Sequence, residues 1–263
     1  GKIAVAHNGN LVNAVELRNE MEEDGSIFRS TMDSEVLLHL IARSRAETVE
    51  EMVVDALRQV RGAYSLVFLL KDRIIAARDP NSFRPLSLGR DGDVWVVASE
   101  SCAFDIISAE YVREVEPGEI LVLSGGEPRS IRFAERAEHL SRCIFEFIYF
   151  SRPDSRVFGE NVDKIRRRLG RKLAEEGPAE ADIVISVPDS SNTIALGFSE
   201  GSGLRYELGL IRNHYVGRTF IQPRQDERDW DVRIKFNPVR GVLEGRSIVV
   251  VDDSIVRGST MRK

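Results

Sequence analysis

The chain has 263 residues, of which 42% are hydrophobic and 30% charged, and its formal net charge is −5 at pH 7. This composition is typical of a folded protein of one or two domains, and its apolar runs are too short for a membrane span. The sequence contains no basic patch with interleaved aromatic residues, and this disfavours nucleic-acid binding. Two isolated cysteines favour a reducing cytoplasm over a disulfide-forming compartment.

The two ends of the chain indicate a piece of a longer protein. The first residue is Gly, an apolar segment begins at residue 3, and the last residues come directly after a predicted loop. We therefore expect a fragment that lacks both termini.

The first half of the chain predicts helices followed by strands. An amphipathic stretch over 11–23, acidic residues at 33–35 and a capping-box pattern at 48–51 predict three helices. Short apolar runs separated by turn residues predict strands at 64–70, 74–77, 94–98, 119–123 and 131–133. This order indicates an antiparallel α+β domain.

The second half predicts alternating helices and strands. The charged segment 134–140 is interpreted as the join. Beyond it we predict a helix over 162–176, a strand over 183–187, a helix over 191–199, a strand over 206–211, an irregular polar stretch over 213–237 and a strand over 247–251. This order is typical of an α/β domain with a parallel sheet.

The stretch VVVDDSIVRGST, residues 249–260, carries the clearest chemistry. Asp252 and Asp253 directly follow an apolar strand, where open parallel sheets bind their ligands. A buried acid pair needs hydroxyls, backbone donors or a cation, and the turn from Ser254 to Thr260 offers hydroxyl and N–H groups suited to phosphate. A sugar phosphate satisfies both halves, with its hydroxyls and a magnesium ion near the acids and its phosphate in the turn. A solvated acid pair in an ordinary turn is the simpler alternative.

This stretch resembles the phosphoribosyl pyrophosphate (PRPP) loop of type I phosphoribosyltransferases, and most of all that of the glutamine PRPP amidotransferase (amidophosphoribosyltransferase) family. Other motifs match that family in order along essentially the whole chain: HNGNL at 7–11, TMDSE at 31–35, RGAY at 61–64, RDPN at 78–81, ASES at 98–101, FEFIYF at 145–150, VPDS at 187–190 and YVGRTF at 215–220. Few proteins join both sets of motifs, so the combination is specific.

The resemblance implies two incomplete domains. Residues 1–137 would form a class II glutamine amidotransferase domain with the αββα fold of N-terminal-nucleophile hydrolases, lacking its N-terminal part. Residues 138–263 would form an α/β type I phosphoribosyltransferase domain with a parallel sheet, lacking its C-terminal part. The implied reaction transfers ammonia from glutamine to PRPP and gives 5-phosphoribosylamine, pyrophosphate and glutamate, the first committed step of de novo purine synthesis. The family's nucleophilic N-terminal cysteine is absent here, so we expect the chain alone to be inactive as a glutaminase.

In the first domain, the resemblance assigns three residues. Asn8 and Gly9 match the family's oxyanion hole, and Asp33 matches the acid that binds the α-amino group of glutamine. From the residues alone, Asn8-Gly9 also fits a plain turn and Asp33 fits a helix N-cap. Both roles of Asp33 stay open at this point.

In the second domain, Asp252 and Asp253 match the pair that binds the ribose hydroxyls and Mg²⁺. Ser190 matches a further residue of the metal site, although by itself it also fits a helix cap. Tyr215, Arg218 and Lys235 are candidate contacts from the family's mobile loop. The phosphate is expected to bind the turn formed by Ser254, Ile255, Val256, Arg257, Gly258, Ser259 and Thr260.

The resemblance also implies cofactors and partners. Mg²⁺ is the expected metal ion. Cys143 lies where some members place a ligand of a [4Fe–4S] cluster and others carry a cysteine without one, so the sequence leaves a cluster in the full-length protein open. Purine nucleotides are expected as feedback inhibitors and a homo-oligomer as the full-length assembly, with no nucleic-acid or membrane partner.

Two other functions stay open. One is a regulatory module with a phosphoribosyltransferase fold that senses PRPP, which the matches at Asn8, Gly9 and Asp33 disfavour. The other is a different class II glutamine amidotransferase, which the PRPP-loop pattern disfavours.

Overall fold

The computed structural model describes residues 2–214 and 235–255. The chain divides into two compact units, residues 1–146 with 155–159, and residues 147–154 with 160–263. Every helix in the described ranges is too short or too polar to traverse a bilayer.

The first unit combines helices with antiparallel strands. Its helices are α1 (Ala14–Glu23), α2 (Ser34–Arg43), α3 (Val49–Gln59) and α4 (Cys102–Ile106). Its strands are β1 (Ala4–Leu11), β2 (Gly62–Leu69), β3 (Ile74–Arg78), β4 (Ser87–Asp91), β5 (Val94–Ala98), β6 (Glu110–Glu114), β7 (Glu119–Leu123), β8 (Arg129–Arg132) and β9 (Arg156–Val157). Among the described residues, one sheet has the order β1–β2–β3–β7–β8 and a second has the order β5–β4–β6.

The central strands of the first sheet, β2, β3 and β7, are largely buried on both faces. Leu66 and Phe68 of β2 belong to the core formed with α1, α2 and α3, whereas Val67 packs against a second cluster that includes Leu88 of the second sheet. Gly89 in β4 faces the other way, and a Cβ there would come 2.7 Å from the ring of Phe104 in α4. The described part of the first unit is therefore layered helix–sheet–sheet–helix.

Most helix signals in the first half are confirmed. Thr48 and Glu51 form the predicted capping box at α3. The helix predicted from the acidic residues at 33–35 is α2, and its residues Val36, Leu37, Leu40 and Ile41 are buried. The first helix begins at Ala14 rather than residue 11, because Leu11 is the last residue of β1 and pairs with Gly62.

Several short elements were not predicted. Strand β4 contains a glycine, β6 reads Glu-Tyr-Val-Arg-Glu, and α4 has only five residues, so each lacks a strong apolar period.

The predicted join remains with the first unit. The backbone N–H groups of Ala137, Ser141 and Cys143 donate to the carbonyls of Pro80, Asn81 and Phe83. These bonds hold the segment 137–143 on the first unit, so the units separate after Glu146 rather than at 137/138. The assignment of two named domains to 1–137 and 138–263 stays a prediction.

The second half contains a parallel sheet, as its alternating order predicts. After a π-helical turn (Glu146–Phe150), its elements are β10 (Glu160–Asn161), α5 (Val162–Glu176), β11 (Ile183–Ser186), α6 (Asn192–Ser202), β12 (Arg205–Tyr206), β13 (Leu210–Arg212), β14 (Phe236–Pro238), α7 (Arg240–Leu243) and β15 (Ile248–Val251). Within the described residues, β12 and β15 flank β11 in parallel, and β13 pairs antiparallel with β14.

The predicted strand over 206–211 is wrong, because it is two short strands. β12 ends at Tyr206 and β13 begins at Leu210. Between them the N–H of Gly209 donates to the carbonyl of Glu207 in a tight turn, and a Cβ on Gly209 would come 2.6 Å from Ile185. The close approach to β11 requires glycine here and interrupts the strand.

Helices α5 and α6 pack backbone against backbone. A Cβ on Gly170 would lie 2.0 Å from the carbonyl oxygen of Ile194, and one on Gly197 would lie 2.1 Å from that of Arg167. Ala174 of α5 and Phe198 of α6 belong to one hydrophobic cluster with Val184 of β11. The glycine contact therefore sets the distance between the helices that precede and follow β11.

Gly170→Ala or Gly197→Ala should destabilise the protein by about 1–3 kcal/mol, because overpacking forces the helices apart. The matched control is Gly241→Ala in α7, where nothing lies within 4 Å of the added methyl and helix propensity favours alanine. Denaturant midpoints of the three variants would measure the effect. Equal midpoints for Gly170→Ala and Gly241→Ala would contradict the close packing.

Candidate functional site

The first candidate site is built on β1. Asn8 and Gly9 lie within this strand, paired with Ser65 and Tyr64 of β2, so the alternative of a plain turn is wrong. Gly9 has φ +151°, and a Cβ there would come 1.9 Å from the carbonyl oxygen of Ala63. Only glycine fits this position, and its backbone remains exposed.

Asp33 occupies the N-cap position of α2, but its side chain makes no capping hydrogen bond. Its carboxylate instead accepts the backbone N–H of Leu11 at 2.9 Å and lies 3.3 Å from Nδ1 of His7. The predicted helix-capping role of this side chain is therefore wrong. The carboxylate is tied to β1 and keeps part of its surface exposed.

His7 is a site residue that the sequence reasoning missed. Its side chain is 7% exposed, and its Nε2 atom has no hydrogen-bond partner among the described residues. The ring lies behind Gly9, since a Cβ on Gly9 would come 2.9 Å from Nε2. The available signal was strand periodicity, which places residues 7, 9 and 11 on one face.

The loop before Asp33 is fixed by Glu35. The Glu35 carboxylate accepts the backbone N–H groups of Arg29 and Ser30, both at 2.8 Å, and the Ser30 hydroxyl at 2.6 Å. The hydrogen bond from the Ser30 hydroxyl, followed by that from the Arg29 N–H, lowers the pKa of Glu35 to about 2. Glu35 is therefore ionised across the ordinary pH range and holds the loop next to Asp33.

The second candidate site lies at the carboxyl ends of β11 and β15. Asp252 and Asp253 follow β15, which is joined to β11 by parallel pairing. The Ser190 hydroxyl donates to Asp253, and the Ser191 hydroxyl donates to Asp252 at 3.4 Å. The N-cap of α6 is Ser191 rather than Ser190, so the helix-cap alternative for Ser190 is wrong. The structure brings the three predicted residues together.

Asp189 and Arg212, which the sequence reasoning did not assign, and Lys235, which it did, add charge near the two carboxylates. Arg212 donates from Nη1 to Asp189 at 2.5 Å, and the carbonyl of Lys235 accepts the N–H of Asn213. Burial and the positive charge of Arg212 lower the pKa of Lys235. The sequence signal for Asp189 was its place in the VPDS motif; Arg212 had none.

Burial raises the pKa of Asp252, and the neighbouring charge of Asp253 raises it further. The N–H of Asp253, the hydroxyl of Ser191 and the ammonium of Lys235 act in the opposite direction. The pair therefore lacks full compensation for its charge and favours an added cation.

The donor atoms fit Mg²⁺. Two carboxylates and a serine hydroxyl are hard oxygen ligands, and Mg²⁺ is commonly held by one or two carboxylates together with substrate phosphates. Within the described residues, no group of three or more His, Cys, Asp or Glu side chains could enclose a metal ion.

Of the other predicted site residues, the structure describes Ser254, Ile255 and Cys143. Ser254 donates its hydroxyl to Asp253 at 2.8 Å, and both Ser254 and Ile255 are exposed. Cys143 and the buried Cys102 are free thiols, and the two cysteines of this sequence are too few for a four-cysteine cluster. Outside the described residues lie Tyr215, Arg218, Val256, Arg257, Gly258, Ser259 and Thr260.

Comparisons with known proteins match the first part of the chain to a domain family and the whole chain to longer proteins. Residues 1–105 match the profile of the family described as "Glutamine amidotransferase domain". An amidophosphoribosyltransferase of Bacillus subtilis is 52% identical over 263 residues, covering 100% of this chain and 55% of that protein. An amidophosphoribosyltransferase of Methanothermobacter thermautotrophicus is 49% identical over 265 residues, covering 100% of this chain and 56% of that protein.

A solved structure agrees over the same length. The glutamine PRPP amidotransferase from B. subtilis, complexed with ADP and GMP, matches with a TM-score of 0.89 and 52% identity, covering 100% of this chain and 57% of that chain. The chain thus spans about half the length of the relatives it matches.

The carboxyl group of Asp252 should titrate above the value of about 3.9 usual for aspartate, because burial penalises its charged form. Lys235→Met should raise this midpoint further, since the ammonium lowers the pKa of Asp252. Carbon-13 NMR of the carboxyl carbon would follow both titrations. A wild-type midpoint at or below the usual value would contradict the burial argument.

Proposed function

We propose that the chain is part of an amidophosphoribosyltransferase. Its resemblance to that family extends over the whole chain. The enzyme would release ammonia from glutamine in one domain and transfer it to PRPP in the other. The products are 5-phosphoribosylamine, pyrophosphate and glutamate, as in the first committed step of purine synthesis. The first unit would be of the N-terminal-nucleophile type, and the second would be the phosphoribosyltransferase.

The observation that carries this proposal is the grouping of Asp252, Asp253 and Ser190 at the carboxyl ends of two parallel strands. Ser190 and Asp253 are 63 positions apart in the chain, yet Ser190 and the two aspartates all match the family's metal and ribose site. This grouping supports a site for a sugar-phosphate ligand over the alternative of a solvated acid pair in an ordinary turn.

In the glutaminase site, Asn8 and Gly9 would stabilise the oxyanion that forms on the glutamine side-chain carbonyl. The Asn8 amide and the backbone N–H of Gly9 are suitable donors, and such donors contribute most where charge develops in the transition state. The carboxylate of Asp33 would bind the α-amino group of the substrate. The nucleophilic cysteine of the family does not occur in this sequence, so the complete site needs residues outside it.

In the phosphoribosyltransferase site, Asp252 and Asp253 would hold the ribose hydroxyls, with Ser190 fixing Asp253. A magnesium ion bound there would stabilise the negative charge of the departing pyrophosphate. Arg212 and Lys235 place further positive charge at the same end of the sheet. Ammonia attacks the anomeric carbon, and the bond to pyrophosphate breaks. The turn after Asp253 would hold the 5-phosphate.

Regulation and assembly follow from the same family. The B. subtilis enzyme was solved with ADP and GMP, which supports purine nucleotides as feedback inhibitors of this protein. A homo-oligomer, a cytoplasmic location and a [4Fe–4S] cluster involving Cys143 in the longer protein stay predictions. The match of residues 1–105 to a glutamine amidotransferase domain disfavours a purely PRPP-sensing module. The full-length relatives disfavour a different class II amidotransferase.

Asp252→Asn or Asp253→Asn in the longer protein should lower phosphoribosylamine synthesis by at least about 100-fold, because the charge that holds the ribose and metal is lost. Glutamine hydrolysis should be retained, since these residues lie outside the glutaminase site. The matched control is Asp93→Asn, a change at a fully exposed carboxylate. Synthesis at the wild-type rate in both site variants would defeat the assignment.

Gly9→Ala should have the opposite pattern. The added methyl cannot fit against the Ala63 carbonyl, so β1 must shift and glutamine-dependent synthesis should fall by about 100-fold or more. Ammonia-dependent synthesis should be unaffected. Parallel assays with glutamine and with ammonium chloride would separate the two, and equal losses in both would contradict the division of roles.

A further inference from the structure

The loop of residues 99–101 connects β5 to α4 and touches the glutaminase site. The hydroxyl oxygen of Ser99 accepts a hydrogen bond from the side-chain amide of Asn8 at 3.5 Å. This contact is long, so Ser99 can orient the amide only if the loop itself is held in place. The rest of the loop shows how it is held.

Ser101 occupies the N-cap position of α4 but does not cap the helix with its side chain. A serine here usually accepts an N–H group of the first turn. The Ser101 hydroxyl instead accepts the backbone N–H of Arg156 at 2.7 Å. The loop therefore uses its capping group to bind a segment more than fifty residues further along the chain.

Glu100 makes a second bond to the same segment. Its carboxylate accepts the hydroxyl of Ser155 at 2.8 Å, and Ser155 is completely buried. A buried hydroxyl without a partner would be costly, so this bond fixes both residues. Two consecutive loop residues thus hold two consecutive residues of the segment 155–159.

The other end of this segment is anchored independently. The N–H of Gly159 donates to Glu114 at 2.9 Å, and Phe158 is 4% exposed. The Arg142 guanidinium donates to the Phe158 carbonyl and lies over the Phe158 ring. All of these contacts lie within the first unit, and they make the segment a rigid support for the loop.

We infer that the segment 155–159 and the loop 99–101 position the amide of Asn8 for catalysis. A primary amide carries two N–H donors. With one N–H directed at Ser99, the second N–H is set for the oxyanion. Ser99 is thus a positioning residue, and Ser101 and Ser155 act through it. This inference rests on the proposed function, because it assigns the support of the oxyanion hole.

The test uses Ser99→Ala, Ser101→Ala and Ser155→Ala in the longer protein. Each should lower the kcat of glutamine hydrolysis by about tenfold, the scale of one lost positioning contact of about 1.4 kcal/mol, and leave KM for glutamine unchanged. Ammonia-dependent synthesis should stay at the wild-type rate. Ser101→Thr, which keeps the hydroxyl, should retain activity.

A double-mutant cycle separates positioning from general support of the fold. If Ser155 acts through Ser99, the double variant Ser99→Ala/Ser155→Ala should be no slower than the slower single variant. The matched control is Thr48→Ala, which removes the capping hydroxyl of α3 and costs about 1 kcal/mol of stability. It should lower the melting temperature without changing kcat.

Three outcomes overturn the inference. The first is wild-type kcat in Ser99→Ala and Ser155→Ala. The second is additive losses in the double variant, and the third is an equal loss in Thr48→Ala. A wild-type protein that makes phosphoribosylamine from ammonia but hydrolyses no glutamine would overturn the proposed function itself. That result is distinct, because it appears before any variant is compared.

Discussion

Two adjacent half-buried carboxylates at the end of β15 are the constraint on which the second unit depends. Their charges repel each other and are partly removed from water, so the fold must surround them with donors. It does so by bringing the loop after β11 alongside, where Ser190 and Ser191 donate to the two carboxylates. The parallel pairing of β11 with β15, and the glycine contacts that seat α6 against α5, place those serines. The remaining uncompensated charge is what makes the site suitable for a cation and a polyhydroxylated ligand.

The first unit also holds a partly buried carboxylate, that of Asp33, with donors from a neighbouring element. Asp33 stands where a helix cap is expected, yet its carboxylate is bound by the N–H of Leu11 and lies beside His7. This diverts the Asp33 side chain from α2 to β1, the strand that also carries Gly9. Ser101 is diverted in the same way from α4 to Arg156. Asp33 thus binds the strand that carries Asn8 and Gly9 instead of capping α2, and Ser101 binds the segment 155–159 instead of capping α4.

The sequence predicted elements whose apolar period is strong, and missed those whose stability comes from neighbours. The helix over 162–176 has the predicted bounds because its apolar residues keep the helical spacing. Strand β6 is polar, and forms because β4 pairs with it. The break between β12 and β13 depends on the approach of Gly209 to Ile185, a contact between residues distant in sequence. In the sites, Asp252 and Asp253 followed from their place after an apolar strand. The residues alone could not decide the role of the Asp33 side chain, because an aspartate before a helix has the same sequence pattern whether it caps the helix or binds another group.

We propose that Asp252, Asp253 and the residues that follow them bind one activated pentose. Isothermal titration of the longer protein with PRPP and Mg²⁺ tests this most directly. We predict saturable binding in the wild-type protein that is lost when both aspartates are replaced by asparagine, while Asp93→Asn binds normally. Undiminished binding in the doubly substituted protein, or no heat at millimolar PRPP in the wild-type protein, would contradict the account.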